Sequence, residues 1–269
     1  SASLNYFFVK FGLRYSTPLG FMAIRYAIAG SLLAVASVLI NGRYYFIVSK
    51  DLALLSVFSS LSTALWAYGL VYIDPGSSAI FGYTMPLFAI PLSIVLIHEQ
   101  PRTLNVVGAI IGFVGVIIYG VSSIMRGVSL IGALLTVVNA IFWALYSIYF
   151  RKLGNNDGII VVSNMFIVGS LILAVMGLLV NGPQAFISIK WVPGFIDNLL
   201  GTSMVGGAVL FLVWYLLVNS MGVANSTPYI FTVPALTLIL NYLIMGIQPT
   251  IPEIVGSVIM FIGIYLASA

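Results

Sequence analysis

The sequence predicts an all-α membrane protein of ten transmembrane helices, arranged as two inverted five-helix repeats. Three observations point there. Of the 269 residues, 61% are hydrophobic and only 6% are charged, far from the roughly 25% charged residues of a soluble domain. Apolar runs recur between short polar breaks, most of about twenty residues and long enough to cross a hydrocarbon core of about 30 Å as a helix. The strict alternation of a membrane β-barrel is absent. Finally, the stretch from Trp66 to Tyr119 occurs twice. Shifted by 148 positions without a gap, Trp66 falls on Trp214, Ser78 on Ser226, Thr84 on Thr232 and Pro86 on Pro234. The same shift carries Gln100-Pro101 onto Gln248-Pro249, Gly108 onto Gly256 and Gly115 onto Gly263. Apolar residues coincide by chance in any such alignment; paired tryptophans, mid-segment prolines and Gln-Pro turns in one register do not.

Taken in order, the first-half spans fall at about 1–13, 18–40, 52–73, 76–98 and 104–121, and the second-half spans at about 128–150, 159–180, 197–218, 225–246 and 252–268. Turn chemistry separates them, as at Ser16-Thr17-Pro18, Asn41-Gly42-Arg43, Asp74-Pro75-Gly76, the run Gly154–Gly158 and Asn181-Gly182-Pro183. The first run stops near Arg14, about 20 Å of helix at 1.5 Å per residue, so helix 1 is expected to be truncated at its N-terminus. The repeats are expected to be 1–126 and 127–269, with spans three to five mapping onto eight to ten. Gly30-Ser31-Leu32 echoes Gly169-Ser170-Leu171 and ties span two to span seven. Five crossings end on the opposite side from their start, so a direct sequence repeat becomes an inverted structural one, and such repeats imply alternating access.

Short-loop cations orient the chain. With the N-terminus inside, Arg43, Lys50, Arg102, Arg151 and Lys152 are cytoplasmic, while Arg14, Arg126 and Lys190 are external. Both termini are therefore expected in the cytoplasm, with the chain in the plasma membrane. Ten Lys/Arg against six Asp/Glu need no nucleic-acid partner, since flanking cations that orient helices account for the excess. The partners implied are the lipid bilayer and a small-molecule substrate, and the oligomeric state stays open. With no cysteine there is no thiolate metal site, and with one histidine, His98, most arrangements of a metal enzyme or membrane protease are ruled out. The chain is expected to be no enzyme and to need no metal or cofactor.

Lys10 and Arg25 are the cations inside spans, where each costs about 2.5 to 3.5 kcal/mol on insertion scales. Either they snorkel to the outer interface or they make a cavity positive. No Asp or Glu stands at mid-span, which leaves coupling through a buried carboxylate unsupported. Asn139, Trp143 and Tyr146 share one helical face, as do Ser59, Ser62, Thr63 and Trp66. With Asn5 on span one, Tyr83 and Tyr229 near the prolines, and Trp214 as the repeat of Trp66, they are the expected cavity lining, the alternative being plain packing. Pro86 and Pro234 occupy equivalent positions, where a proline removes a backbone bond and kinks a helix. Paired interruptions point to the site of an inverted-repeat carrier. Gly108, Gly112 and Gly115, with Gly256 and Gly263, fit close helix contact and mark spans five and ten as scaffold. A channel would favour a ring of identical charges, which is lacking.

Three segments carry a family resemblance: Leu4-Asn5-Tyr6-Phe7-Phe8-Val9-Lys10, Pro18-Leu19 through Ala23-Ile24-Arg25-Tyr26, and Glu99-Gln100-Pro101 through Gly108 and Gly115. In these, and in its halving, the chain resembles EamA-type members of the drug/metabolite transporter superfamily. The resemblance implies a cavity among helices 1, 3, 4, 6, 8 and 9, peripheral helices 5 and 10, and export or exchange of small metabolites, commonly amino acids, without ATP. Phosphorylated or nucleotide-linked sugars are the alternative cargo, and a non-transporting scaffold the alternative class. Two positions depart from the family pattern: Ala2 or Ser3 stands where a tryptophan is usual, and Ile247 stands opposite Glu99, leaving Glu99 without a counterpart in the second half.

Overall fold

The hydroxyl and carboxylate residues at the sequence breaks become helix caps, and the caps delimit the spans. The computed structural model of the protein describes residues 2–125 and 127–268; Arg126, counted above among the external cations, lies outside them. After α1 (Ala2–Gly12), Thr17 accepts the Gly20 N–H at the start of α2 (Pro18–Asn41), and Ser49 accepts that of Leu52 at the start of α3 (Lys50–Tyr72). Asp74 accepts the Ser77 N–H at 3.1 Å and opens α4 (Pro75–Ile97), which is followed by α5 (Thr103–Met125). In the second half Ser129 caps α6 (Leu130–Lys152) and Asp157 caps α7 (Gly158–Asn181). After a single helical turn at Gln184–Ile187 come three longer helices, α8 (Pro193–Met221), α9 (Val223–Met245) and α10 (Ile251–Ser268). Each cap satisfies a backbone donor that the helix leaves free.

Among the described residues, the eight helices from α2 to α9 are long and apolar enough to cross a membrane, while the apolar part of α10, Ile251–Ala267, is shorter and α1 has 11 residues. The protein is thus an all-helical, multi-pass membrane protein; length alone supports eight crossings rather than the ten expected. Its burial is the reverse of a soluble domain's. Leu39 and Leu179 are about four-fifths exposed, whereas Ser56, Ser59, Ser60, Asn164 and Thr202 are fully buried. Lipid gives apolar side chains no reason to hide, so close packing and interhelical hydrogen bonds hold the bundle. The Ser163 hydroxyl donates to the Gly30 carbonyl at 2.8 Å and that of Ser60 to the Gly169 carbonyl at 3.3 Å.

Two pairs of helices that the repeat makes equivalent, α2 with α7 and α5 with α10, pack against each other and run antiparallel. On α2 and α7, Leu19 lies by Gly177, Tyr26 stacks edge-on to Phe166 at 4.6 Å, and Asn41 donates to Asp157 at 2.7 Å. On α5 and α10, a Cβ at Gly108 would strike the Gly263 carbonyl, and one at Gly115 would strike that of Gly256. The repeat register exchanges these two contacts with each other. Small residues here let backbones touch, as the glycine spacing predicts.

Three spans, α4, α8 and α9, are not continuous α-helices. Helix α4 is interrupted between Pro75–Gly82 and Met85–Ile97, and Pro86 sits in the first turn after the break. In α9 a 3₁₀ segment, Thr227–Phe231, precedes Thr232–Met245, and Pro234 again sits in the first turn of the later segment. The prolines therefore follow interruptions instead of kinking unbroken helices, which is where a missing N–H is tolerated. Helix α8 contains an interruption that no proline announces, the π-helical stretch Thr202–Val209.

Candidate functional site

A pocket of about 80 Å³ lies where both halves meet. From the first half come Ala2, Asn5 and Tyr6 of α1, Arg25 of α2, Ser62, Thr63 and Trp66 of α3, and Tyr83 at the α4 break. The second half supplies Asn139, Trp143 and Tyr146 of α6 with Leu210 and Phe211 of α8. The helical spacing of Ser62 to Trp66 and of Asn139 to Tyr146 turns each set to one side. The two faces are joined directly, the Ser62 hydroxyl donating to Asn139 Oδ1 at 2.6 Å. Rings meet edge to face around the wall, Tyr6 with Trp66 at 5.1 Å and Tyr83 with Trp143 at 5.2 Å.

Arg25 is 1% exposed. Its Nη2 donates to the Gly206 carbonyl at 2.9 Å and its Nε to that of Thr202 at 3.4 Å, while Nη1 reaches only the Met22 sulfur at 3.6 Å. Both carbonyls belong to the π-helical stretch, whose wider winding loosens the regular i→i+4 pattern. Thr202 also donates its hydroxyl to Asn5 Oδ1 at 2.6 Å. Gly206 lies so close to the Asn5 amide that a Cβ would overlap it. The guanidinium also lies 5.7 Å from the centre of the Trp66 ring.

Several expected positions fall elsewhere. Lys10 does not line the pocket: its ammonium donates to the Leu70 and Ile73 carbonyls at 2.5 and 2.9 Å, closing the C-terminal end of α3. Tyr229 also lies outside it, because the 3₁₀ segment turns that residue towards a separate cavity of about 230 Å³ shared with Arg102, Asn105 and Asn225. Trp214 stands one layer back, donating to the Ser147 hydroxyl at 2.8 Å and packing on Trp143 with ring centres 6.0 Å apart. Glu99 is at the rim of the bundle, where its carboxylate accepts the Val223 and Ala224 N–H groups at 2.7 and 2.9 Å, with Arg151 Nε 4.0 Å away. Sequence reasoning missed Phe211 and Thr202. Phe211 is three residues before Trp214, a spacing that could have placed it; nothing in the sequence marks the π-helical stretch that brings Thr202 inward.

The description "EamA-like transporter family" matches the chain over residues 1–121 and again over 130–269. A protein of Acidianus ambivalens described as "Uncharacterized transporter in sor 3'region" is 38% identical over 247 residues, 92% of each chain. "Uncharacterized transporter YvbV" of Bacillus subtilis is 26% identical over 98% of this chain and 87% of its own. One solved crystal structure superposes with a TM-score of 0.72 across 100% of this chain and 96% of that one, at 17% identity, a likeness of fold.

Proposed function

The chain belongs to the EamA-like transporter family, and from that premise we propose that it is a secondary carrier moving a small amphipathic organic metabolite, of amino-acid size, through the pocket between its halves. One observation carries this reading: the aromatic and polar residues converge on a single pocket to which α1 to α4 and α6 and α8 all contribute. At about 80 Å³ the pocket is far below the roughly 300 Å³ of a typical ligand site, which suits a closed state that must open to load.

Alternating access supplies the opening. Antiparallel packing of α2 on α7 and of α5 on α10 supports two inverted five-helix repeats, 1–126 and 127–269, that rock about the site. The interrupted α4, α8 and α9 are where the rocking would be absorbed, with Pro86 and Pro234 beside the breaks. The loop cations suit cytoplasmic termini in the plasma membrane. Sugar phosphates fit less well, because Arg25 is the single cation on the pocket wall among the described residues. Purified protein in liposomes, challenged with labelled amino acids, organic acids, amines and sugar phosphates, tests the reading. Saturable exchange of a small amphipathic compound is expected, weakened by Trp66→Ala. No flux for any compound, with or without a proton gradient, would overturn it.

A further inference from the structure

The polar groups on the pocket wall are unbalanced. The indole N–H groups of Trp66 and Trp143 are buried and have no acceptor among the described residues. Arg25 donates to two carbonyls and a sulfur, with no carboxylate opposite it among the described residues. Two amide acceptors of the wall, in contrast, are occupied: Asn139 Oδ1 by Ser62 and Asn5 Oδ1 by Thr202. Among the described residues no Asp, Glu or His lines the cavity. Buried donors without partners are costly, and a guanidinium in a low dielectric gains most from an anion.

An aromatic wall could also hold a cation. Here the Trp66 face already has Arg25 5.7 Å from its centre, so a second positive charge would meet repulsion with no carboxylate to offset it. A dianionic phosphate would want more than one counter-charge. One cation, two spare indole donors and an apolar remainder match a single negative charge on an apolar body.

We propose that the pocket selects small organic monocarboxylates that lack an ammonium group. Arg25 anchors the carboxylate with the Trp66 indole beside it, Trp143 offers a further donor, and Tyr83, Tyr146 and Phe211 enclose the body. This rests on the pocket being the transport site and narrows its cargo to the acid end of the amphipathic class.

The test compares compounds of one shape: 3-phenylpropionate, its primary amide, phenethylamine and phenylalanine. Binding is followed by tryptophan fluorescence of the purified protein, and exchange in liposomes at neutral pH against empty vesicles. The acid is expected to bind at least about tenfold more tightly than the amide, as for a hydrogen bond to a charged group, and to exceed phenylalanine and the amine. Arg25→Gln should abolish the preference and Arg25→Lys should keep part of it. Since Arg25 also holds the π-helical stretch, Trp143→Phe provides a second variant, expected to weaken the acid several-fold and leave the amide little changed. Equal binding of acid and amide, or tighter binding of the amine or phenylalanine, would overturn the proposal while leaving a carrier of other cargo intact. Selective binding of the acid without exchange would keep the ligand class and sink the transport reading. Neither binding nor flux for any of the four would overturn the proposal.

Discussion

The Glu99 carboxylate accepts the Val223 N–H at 2.7 Å, so the first half of the chain caps a helix of the second. The repeat register explains why. Gly222 stands where the first half has Asp74, the residue that caps α4 from within its own half. The second copy has no such side chain, and Glu99 supplies the acceptor from outside. Glu99→Gln should therefore lower stability by about 1 kcal/mol, read as a fall in melting temperature in detergent. Arg151→Ala should cost less, since that side chain is 42% exposed and 4.0 Å away. Gly222→Asp should not rescue Glu99→Gln, because Gly222 has φ 89 and ψ 162, a region essentially closed to other residues.

The glycines joining α5 to α10 should behave as matched pairs. Alanine at Gly108 or at Gly256 brings a methyl against the opposing carbonyl, and overpacking of this kind costs about 1 to 3 kcal/mol. Comparable losses of melting temperature are expected for the two, as their surroundings are copies. A large loss at one and none at the other would contradict the antiparallel contact.

Lys10→Met should separate stability from binding. The ammonium closes the end of α3 through the Leu70 and Ile73 carbonyls, an interaction of a cation with a helix C-terminus worth about 0.3 to 1 kcal/mol near a surface. The variant should melt slightly earlier and bind ligand as the parent does. A many-fold loss of affinity by fluorescence titration would return Lys10 to the pocket.

Trp214→Phe and Tyr229→Phe form a contrast. Trp214 buttresses Trp143 and satisfies Ser147, so losing its N–H should cost about 1 kcal/mol and raise the exchange half-saturation concentration. Tyr229 faces another cavity, and its substitution should leave exchange unchanged.

The helices and the duplication were legible because they depend on composition, on caps and on punctuation. Asn139, Trp143 and Tyr146 reach the pocket wall because a 3.6-residue period fixes a face once the helix exists. Lys10, Tyr229 and Trp214 were not legible in the same way. Snorkelling to a neighbour's carbonyls depends on where that helix ends, and a change from α to 3₁₀ winding rotates Tyr229 away without any sequence mark. The π-helical stretch of α8, with the two carbonyls Arg25 uses, is likewise a tertiary outcome: Gly206 there is required by the Asn5 amide on a helix some two hundred residues earlier.

The seam of α5 on α10 joins like to like. A half made alone would carry one complete side of that joint and could mate with a copy of itself, provided that copies entered the bilayer both ways up. A single polypeptide removes that requirement, because the two halves enter the bilayer together. The absence of a capping side chain at Gly222, made good by Glu99, ties the second half to the first. Halves co-expressed after a cut ahead of Leu130 should still find each other.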